Sequence, residues 1–133
     1  MTYTEIRDAA LGLPREERRA LSIRIGDSLR EEAKRVESMD LTPYRAVMEE
    51  LVGRSIGTRS RDPLVSHARM IVAREMMIRG FRHERIAELL GRHRSSVIYY
   101  RRVIEDMLYS PWQYPDEAYY SEMYSRRLKE LDL

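Results

Sequence analysis

Apolar residues recur along this 133-residue chain at intervals of three and four, the period that lays a stripe along one face of an α-helix. No stretch alternates with period two for long enough to predict a strand, so the expected fold is all-α, with roughly six or seven helices. A short helix is predicted from Thr4 to Leu11, stopped by Gly12. A longer one occupies 14–37, with Pro14 near its first turn, Glu16 and Glu17 suited to a helix N-terminus, and Leu21, Ile25, Leu29, Ala33 and Val36 along one stripe. Thr42-Pro43 reads as a cap followed by proline at the first helical position. Tyr44, Val47, Met48 and Leu51 form the buried face of that helix, and Gly53 ends it. Asp62-Pro63 repeats the start signal and opens a helix through Leu64, Ala68, Ile71, Val72, Glu75 and Met76 to a stop at Gly80. After Leu108 the run YSPWQYP breaks the pattern with two prolines, and Asp116 is expected to cap a last helix, 116–131. That helix carries Tyr120, Tyr124, Leu128 and Leu131 on one face.

Residues 82–108, RHERIAELLGRHRSSVIYYRRVIEDML, have the spacing of a helix-turn-helix. Counting from His83 as position one, Ala87 falls at five, Gly91 at nine and Val97 at fifteen. These positions call for a small residue where the helices cross, a glycine that can take φ > 0, and an aliphatic anchor on the second helix. Ile86, Leu90 and Tyr100 supply further apolar contacts. The second helix would expose Arg94, Ser95, Ser96, Tyr99 and Arg102 where such modules meet base edges. The same pattern also fits an ordinary pair of packed helices joined by a glycine turn.

Charge sharpens that picture. The net charge of +2 conceals a partition: residues 1–53 carry −2, residues 109–133 carry −2, and twelve arginines against six acids leave residues 54–108 at +6. The excess thus coincides with the helix-turn-helix spacing and with the basic loop 54–61, RSIGTRSR. Positive charge there attracts phosphates and makes binding depend on salt. It is entirely arginine, whose planar fork suits phosphate and guanine.

Residues 59–104 resemble the C-terminal DNA-binding domain of the bacterial chromosomal replication initiator, DnaA. That family has a basic loop, a helix opening A-R-Q-I-A-M, and I-G-x-x-F-G-G-R-D-H-T-T-V at its helix-turn-helix. Here Ala68-Arg69-Met70-Ile71 and Gly91-Arg92-His93-Arg94-Ser95-Ser96-Val97 stand in those places, and the similarity extends over 42–108. It implies that Arg69 contacts backbone phosphate, that Arg59 and Arg61 approach the minor groove, and that Arg92 matches the signature arginine. Ser95 and Ser96 would stand for two threonines that contact bases and phosphate. Three departures imply a different target: His93-Arg94 replaces Asp-His, the serines lack methyls that pack on thymine, and one glycine is missing before Arg92. There is no GxxxxGK phosphate loop, so the initiator's nucleotide-hydrolysing module and a nucleotide ligand are not implied. The N-terminal LGLPREERRALSIRIGDSLREE is similar to a pattern of small antitoxin components at Leu13, Pro14, Glu17, Arg18, Leu21, Ile25, Ser28 and Leu29.

Nothing assembles into a catalytic centre. Without cysteine there is no thiolate nucleophile or thiolate metal site, and His67, His83 and His93 show no metal-ligand or triad spacing. His67 and His93 are placed near phosphates instead. Tyr99 reads as groove-facing and Tyr100 as core, rather than either as a nucleophile. The expectation is a non-enzymatic binder of double-stranded DNA, with no cofactor or metal: a regulator or accessory replication factor, with a mobile element as one setting. The alternative is an all-helical protein–protein adaptor, or an antitoxin-like component, that does not read DNA. No window approaches the roughly eighteen apolar residues of a membrane span and the N-terminus has no apolar signal core, so the cytoplasm is the expected compartment. The expected organisation is an N-terminal amphipathic region, 1–40, the DNA-binding domain, 41–108, and an aromatic linker with a last helix, 109–133. The apolar faces of 14–37 and 116–131 either pack within the chain or form a homodimer, centred on Leu21, Ile25 and Leu29 or on Tyr120, Tyr124 and Leu128.

Overall fold

Capping chemistry sets the helix boundaries. The computed structural model describes Arg30 and residues 39–133, with five helices and no strand among them: α1 (Thr42–Val52), α2 (Pro63–Ile78), α3 (His83–Leu90), α4 (Arg94–Leu108) and α5 (Pro115–Glu130). At the head of α2, Asp62 accepts from the Leu64 N–H at 2.9 Å, with Pro63 in the first turn as expected. The Arg54 guanidinium, 2.8 Å away, and that N–H hold the Asp62 carboxyl below its ordinary value. At α1 the expected Thr42 cap is corrected. Thr42 lies inside the helix, and its N–H and hydroxyl donate to Asp40 Oδ1 at 3.0 and 2.8 Å. The short carboxylate two residues back closes an Asx turn before the helix begins. Asp116 is likewise not a cap. Pro115 starts α5 a residue earlier, and Asp116 and Glu117 fill its first turn, where negative charge complements the positive end of the helix dipole.

Gly91 ends α3 in the left-handed region, φ 62°. The Gly91 N–H reaches Glu88 O and the Arg92 N–H reaches Ala87 O, the paired closure of a Schellman turn. Gly80, φ 90°, closes α2 in the same way through Phe81 N–H to Met76 O. Both turns need a residue without a Cβ penalty at φ > 0, which is why glycine stands there.

The unit from Asp40 to Leu133 is built around α2. Val65, Ala68, Met70, Ile71, Val72, Ala73, Met76 and Met77 are all buried, so this helix is covered on nearly every side rather than along one stripe. The sequence pattern points to Leu64, which is only half-buried, and to Ala68, Ile71, Val72 and Met76, and the structure adds Val65, Met70, Ala73 and Met77. Against α2 pack Tyr44, Val47 and Met48 of α1, Ile86, Ala87 and Leu90 of α3, Val97 and Ile104 of α4, and Tyr124 and Leu128 of α5. Tyr44 and Phe81 meet edge to face, with ring centroids 5.2 Å apart.

Residues 109–133 therefore belong to this unit and do not form a separate appendage. Tyr124 and Leu128 are fully buried, and the Tyr124 hydroxyl donates to Tyr44 O at 2.7 Å. The homodimer face expected at Tyr120, Tyr124 and Leu128 is thus corrected: two of its three side chains are already covered by the chain's own core. Leu131 follows α5 as its C-cap and is half exposed. The helices expected at 4–11 and 14–37, the antitoxin-like positions and the face of Leu21, Ile25 and Leu29 lie outside the described residues. No helix among the described residues is long and apolar enough to cross a membrane.

Candidate nucleic-acid interface

The basic loop is shaped from below by an arginine. Arg69 is 4% exposed, and its guanidinium donates to three carbonyls of alternate loop residues. Nη1 reaches Ile56 O at 3.2 Å and Thr58 O at 3.0 Å, and Nη2 reaches Ser60 O at 3.0 Å. Ile56 is fully buried under the loop, and its N–H donates to Glu49 Oε2 at 2.9 Å. Arg45 lies against Gly57, in the space that a Cβ there would fill. It also bridges Glu49, at 3.2 Å, and Leu89 O, at 3.3 Å. The loop is therefore tied to α1 and α2 through its own backbone.

Drawing the carbonyls inward leaves the other side chains outside. Arg59 and Arg61 are exposed and make no hydrogen bond or ion pair among the described residues. Arg92, half-buried in the turn between α3 and α4, donates to Thr58 O and to Gly91 O. Loop and turn thus abut, and Gly91 approaches Gly57 O as well.

Arg69 was expected to contact phosphate and instead sits beneath the surface. It lies between Val65 and Val72–Ala73 on a buried side of α2, so its long side chain is directed into the unit. Burial pushes the guanidinium below its ordinary value, Arg92 adds to that, and Tyr100 beside it opposes the shift. An arginine remains charged through such perturbation. No carboxylate among the described residues pairs with it, so its charge is solvated by peptide dipoles and not cancelled.

His67 is the second correction. Two positions apart on a helix means roughly 200° around it, so His67 and Arg69 face opposite ways. His67 Nδ1 meets Glu117 Oε1 at 2.8 Å and lines a small cavity of about 140 Å³ with Leu64, Ile71, Asp116 and Tyr120. It belongs to the contact between α2 and α5, beside two carboxylates.

The head of α4 is capped by His93, whose Nδ1 accepts from the Ser95 N–H at 3.3 Å and lies 2.8 Å from Ser95 Oγ. Beyond it, Arg94, Ser95, Ile98, Tyr99 and Arg102 form one exposed stripe at helical spacing, with Ser96 and Tyr100 half-buried beside it. Arg94 touches Glu84 at 3.3 Å, both side chains 59% exposed, a pair worth little in water. Arg102 makes no ion pair or hydrogen bond among the described residues. Arg59, Arg61 and Arg92 thus stand where loop and turn meet, and His93, Arg94, Ser95, Tyr99 and Arg102 follow along the exposed side of α4.

Sequence reasoning missed Glu49, Ile56 and Ile98. Ile56 had a readable signal, as the one aliphatic in a basic loop between two glycines. Ile98 is apolar at an exposed register of α4. No known protein family, curated protein or solved structure matches this chain.

Proposed function

We propose that residues 41–108 bind double-stranded DNA as a helix-turn-helix, α4 lying in the major groove and the 54–61 loop against the backbone. The chain then acts as a non-catalytic regulator or accessory replication factor. One observation carries this reading. The loop and the turn before α4 abut through Arg92 and Thr58, with Arg59 and Arg61 on the loop and Arg102 on α4 exposed and uncompensated among the described residues. The resemblance of 42–108 to the initiator's DNA-binding domain supports it, and the departures at His93 and Arg94 point to a different target sequence. In this reading His93 acts by fixing the first turn of α4, and Arg94 and Ser95 meet base edges.

The adaptor reading also has an observation in its favour. Tyr109, Trp112 and Tyr119 are 85%, 79% and 58% exposed around the connection from α4 to α5. Such aromatics suit a protein partner.

Heparin retention followed by a gel shift with random duplex DNA separates the two. The DNA reading expects a shift whose log affinity falls with log salt by about 0.9 per phosphate engaged, a slope of about −2.7 to −3.6 for three or four phosphates. A chain that passes through heparin and shifts no duplex at low salt is an adaptor instead.

A further inference from the structure

Ile98 is 47% exposed at the centre of the arginine-bearing face of α4. Arg94 lies one turn before it and Arg102 one turn after, each about 6 Å along the helix axis. Two features make this an unusual place for an aliphatic. Its β-branched side chain has essentially one rotamer in a helix, so its methyls point in a fixed direction and lose little freedom on contact. Its neighbours one turn away on either side are guanidiniums, which would have to be desolvated if this face docked on an apolar protein surface. A surface that welcomes both groups must be anionic and yet offer an isolated apolar group at helix-turn spacing. The major groove does so: phosphates and guanine acceptors meet the arginines, and in unmodified DNA the apolar group on its floor is the C5 methyl of thymine.

We infer that Ile98 is a specificity-determining residue that packs on a thymine C5 methyl between the positions engaged by Arg94 and Arg102. The inference rests on the proposed DNA reading and goes beyond it by naming a base and the group on it that is read. It also gives the missing threonine methyls at Ser95 and Ser96 a replacement: the apolar contact is shifted two to three residues along the same helix.

The test uses the full chain and a duplex selected from a random pool. Each thymine is replaced in turn by deoxyuridine, which removes the methyl and leaves the pairing edge intact. One replacement is expected to weaken binding by about fourfold, the scale of one buried methyl. The Ile98→Ala variant is expected to bind the thymine duplex more weakly by a similar factor and to be indifferent, within about twofold, to that same replacement. Ile98→Val, which keeps a β-branched methyl, should fall between them, and circular dichroism of both variants checks that the exposed substitution leaves the fold intact. If no single deoxyuridine weakens the parent chain, or if it weakens the parent and Ile98→Ala equally, the assignment is overturned while DNA binding stands. If the chain shifts no duplex at all, the DNA reading falls and this inference with it.

Discussion

The two sides of α2 treat positive charge in opposite ways. Toward α5, His67 Nδ1 meets Glu117 at 2.8 Å, Arg79 pairs with Glu75 at 3.3 Å, and on α5 itself Arg126 pairs with Glu122 and Arg127 with Glu130. Toward the loop, Arg54 pairs with Asp62, but Arg69 and Arg92 are held by neutral carbonyls. Carbonyl dipoles satisfy a guanidinium's hydrogen bonds without cancelling its charge. The first arrangement neutralises arginine charge within its own helix. The second uses only the hydrogen bonds, so the field survives at the surface beside Arg59 and Arg61. Net charge read from sequence does not distinguish the two.

Breaking the buried brace gives the largest expected effect. Arg69→Met leaves Ile56 O and Ser60 O without their donor, Thr58 O keeping Arg92, and at roughly 1–3 kcal/mol for each buried group left unpaired the chain should lose about 3 kcal/mol in a urea melt. Residues 54–61 should also become the first site of proteolysis. Arg69→Lys keeps the charge but replaces a planar fork with a compact ammonium, so it should recover only part of that loss. A loss below about 1 kcal/mol for Arg69→Met would mean that water replaces the guanidinium.

On the other side, Tyr124→Phe removes one buried hydroxyl and should cost about 1 kcal/mol while leaving duplex affinity unchanged. The same residue predicts an alkaline limit. Burial, with Glu75 nearby, raises the Tyr124 phenol well above its ordinary value. Its contribution to stability is therefore complete below about pH 10 and is lost as the pH rises above that, because the unfolded chain ionises first. Absorbance titration should show one tyrosine that ionises only as the fold is lost. The smallest effect belongs to the exposed Glu84–Arg94 pair. Glu84→Gln removes a weak competitor for Arg94 and should tighten duplex binding by about twofold, measured by fluorescence anisotropy. Weaker binding would place Glu84 in the interface itself.

Elements with local signatures could be read from the sequence. Asp62-Pro63, Gly80 and Gly91 act through side chains or glycines within a few residues of the boundary they set, so their chemistry sits inside a short window. The interior of the loop was not readable in that way, because Arg69 reaches carbonyls nine to thirteen residues back. A hint was nonetheless present: Arg69 interrupts an otherwise apolar stripe of Val65, Val72, Ala73 and Met76, where a charged residue is turned inward. The pairing of His67 with Glu117 spans fifty positions and leaves no periodic trace. The resemblance assigned Arg69 a phosphate contact that its neighbours on α2 prevent. Capping at Thr42 and Asp116 was misplaced by one or two residues, since a proline fixes the first turn without saying which side chain precedes it.

The contrast between the two sides is tested most directly by the salt dependence of duplex binding in two paired variants of the full chain. Each removes two cationic side chains: Arg59→Ala with Arg61→Ala at the loop, and Arg126→Ala with Arg127→Ala on α5. The loop variant should lower the slope of log affinity against log salt by about two, at roughly 0.9 for each phosphate no longer engaged, while the α5 variant leaves it unchanged. Equal slopes in both variants, or a reduction confined to the α5 pair, would contradict the account.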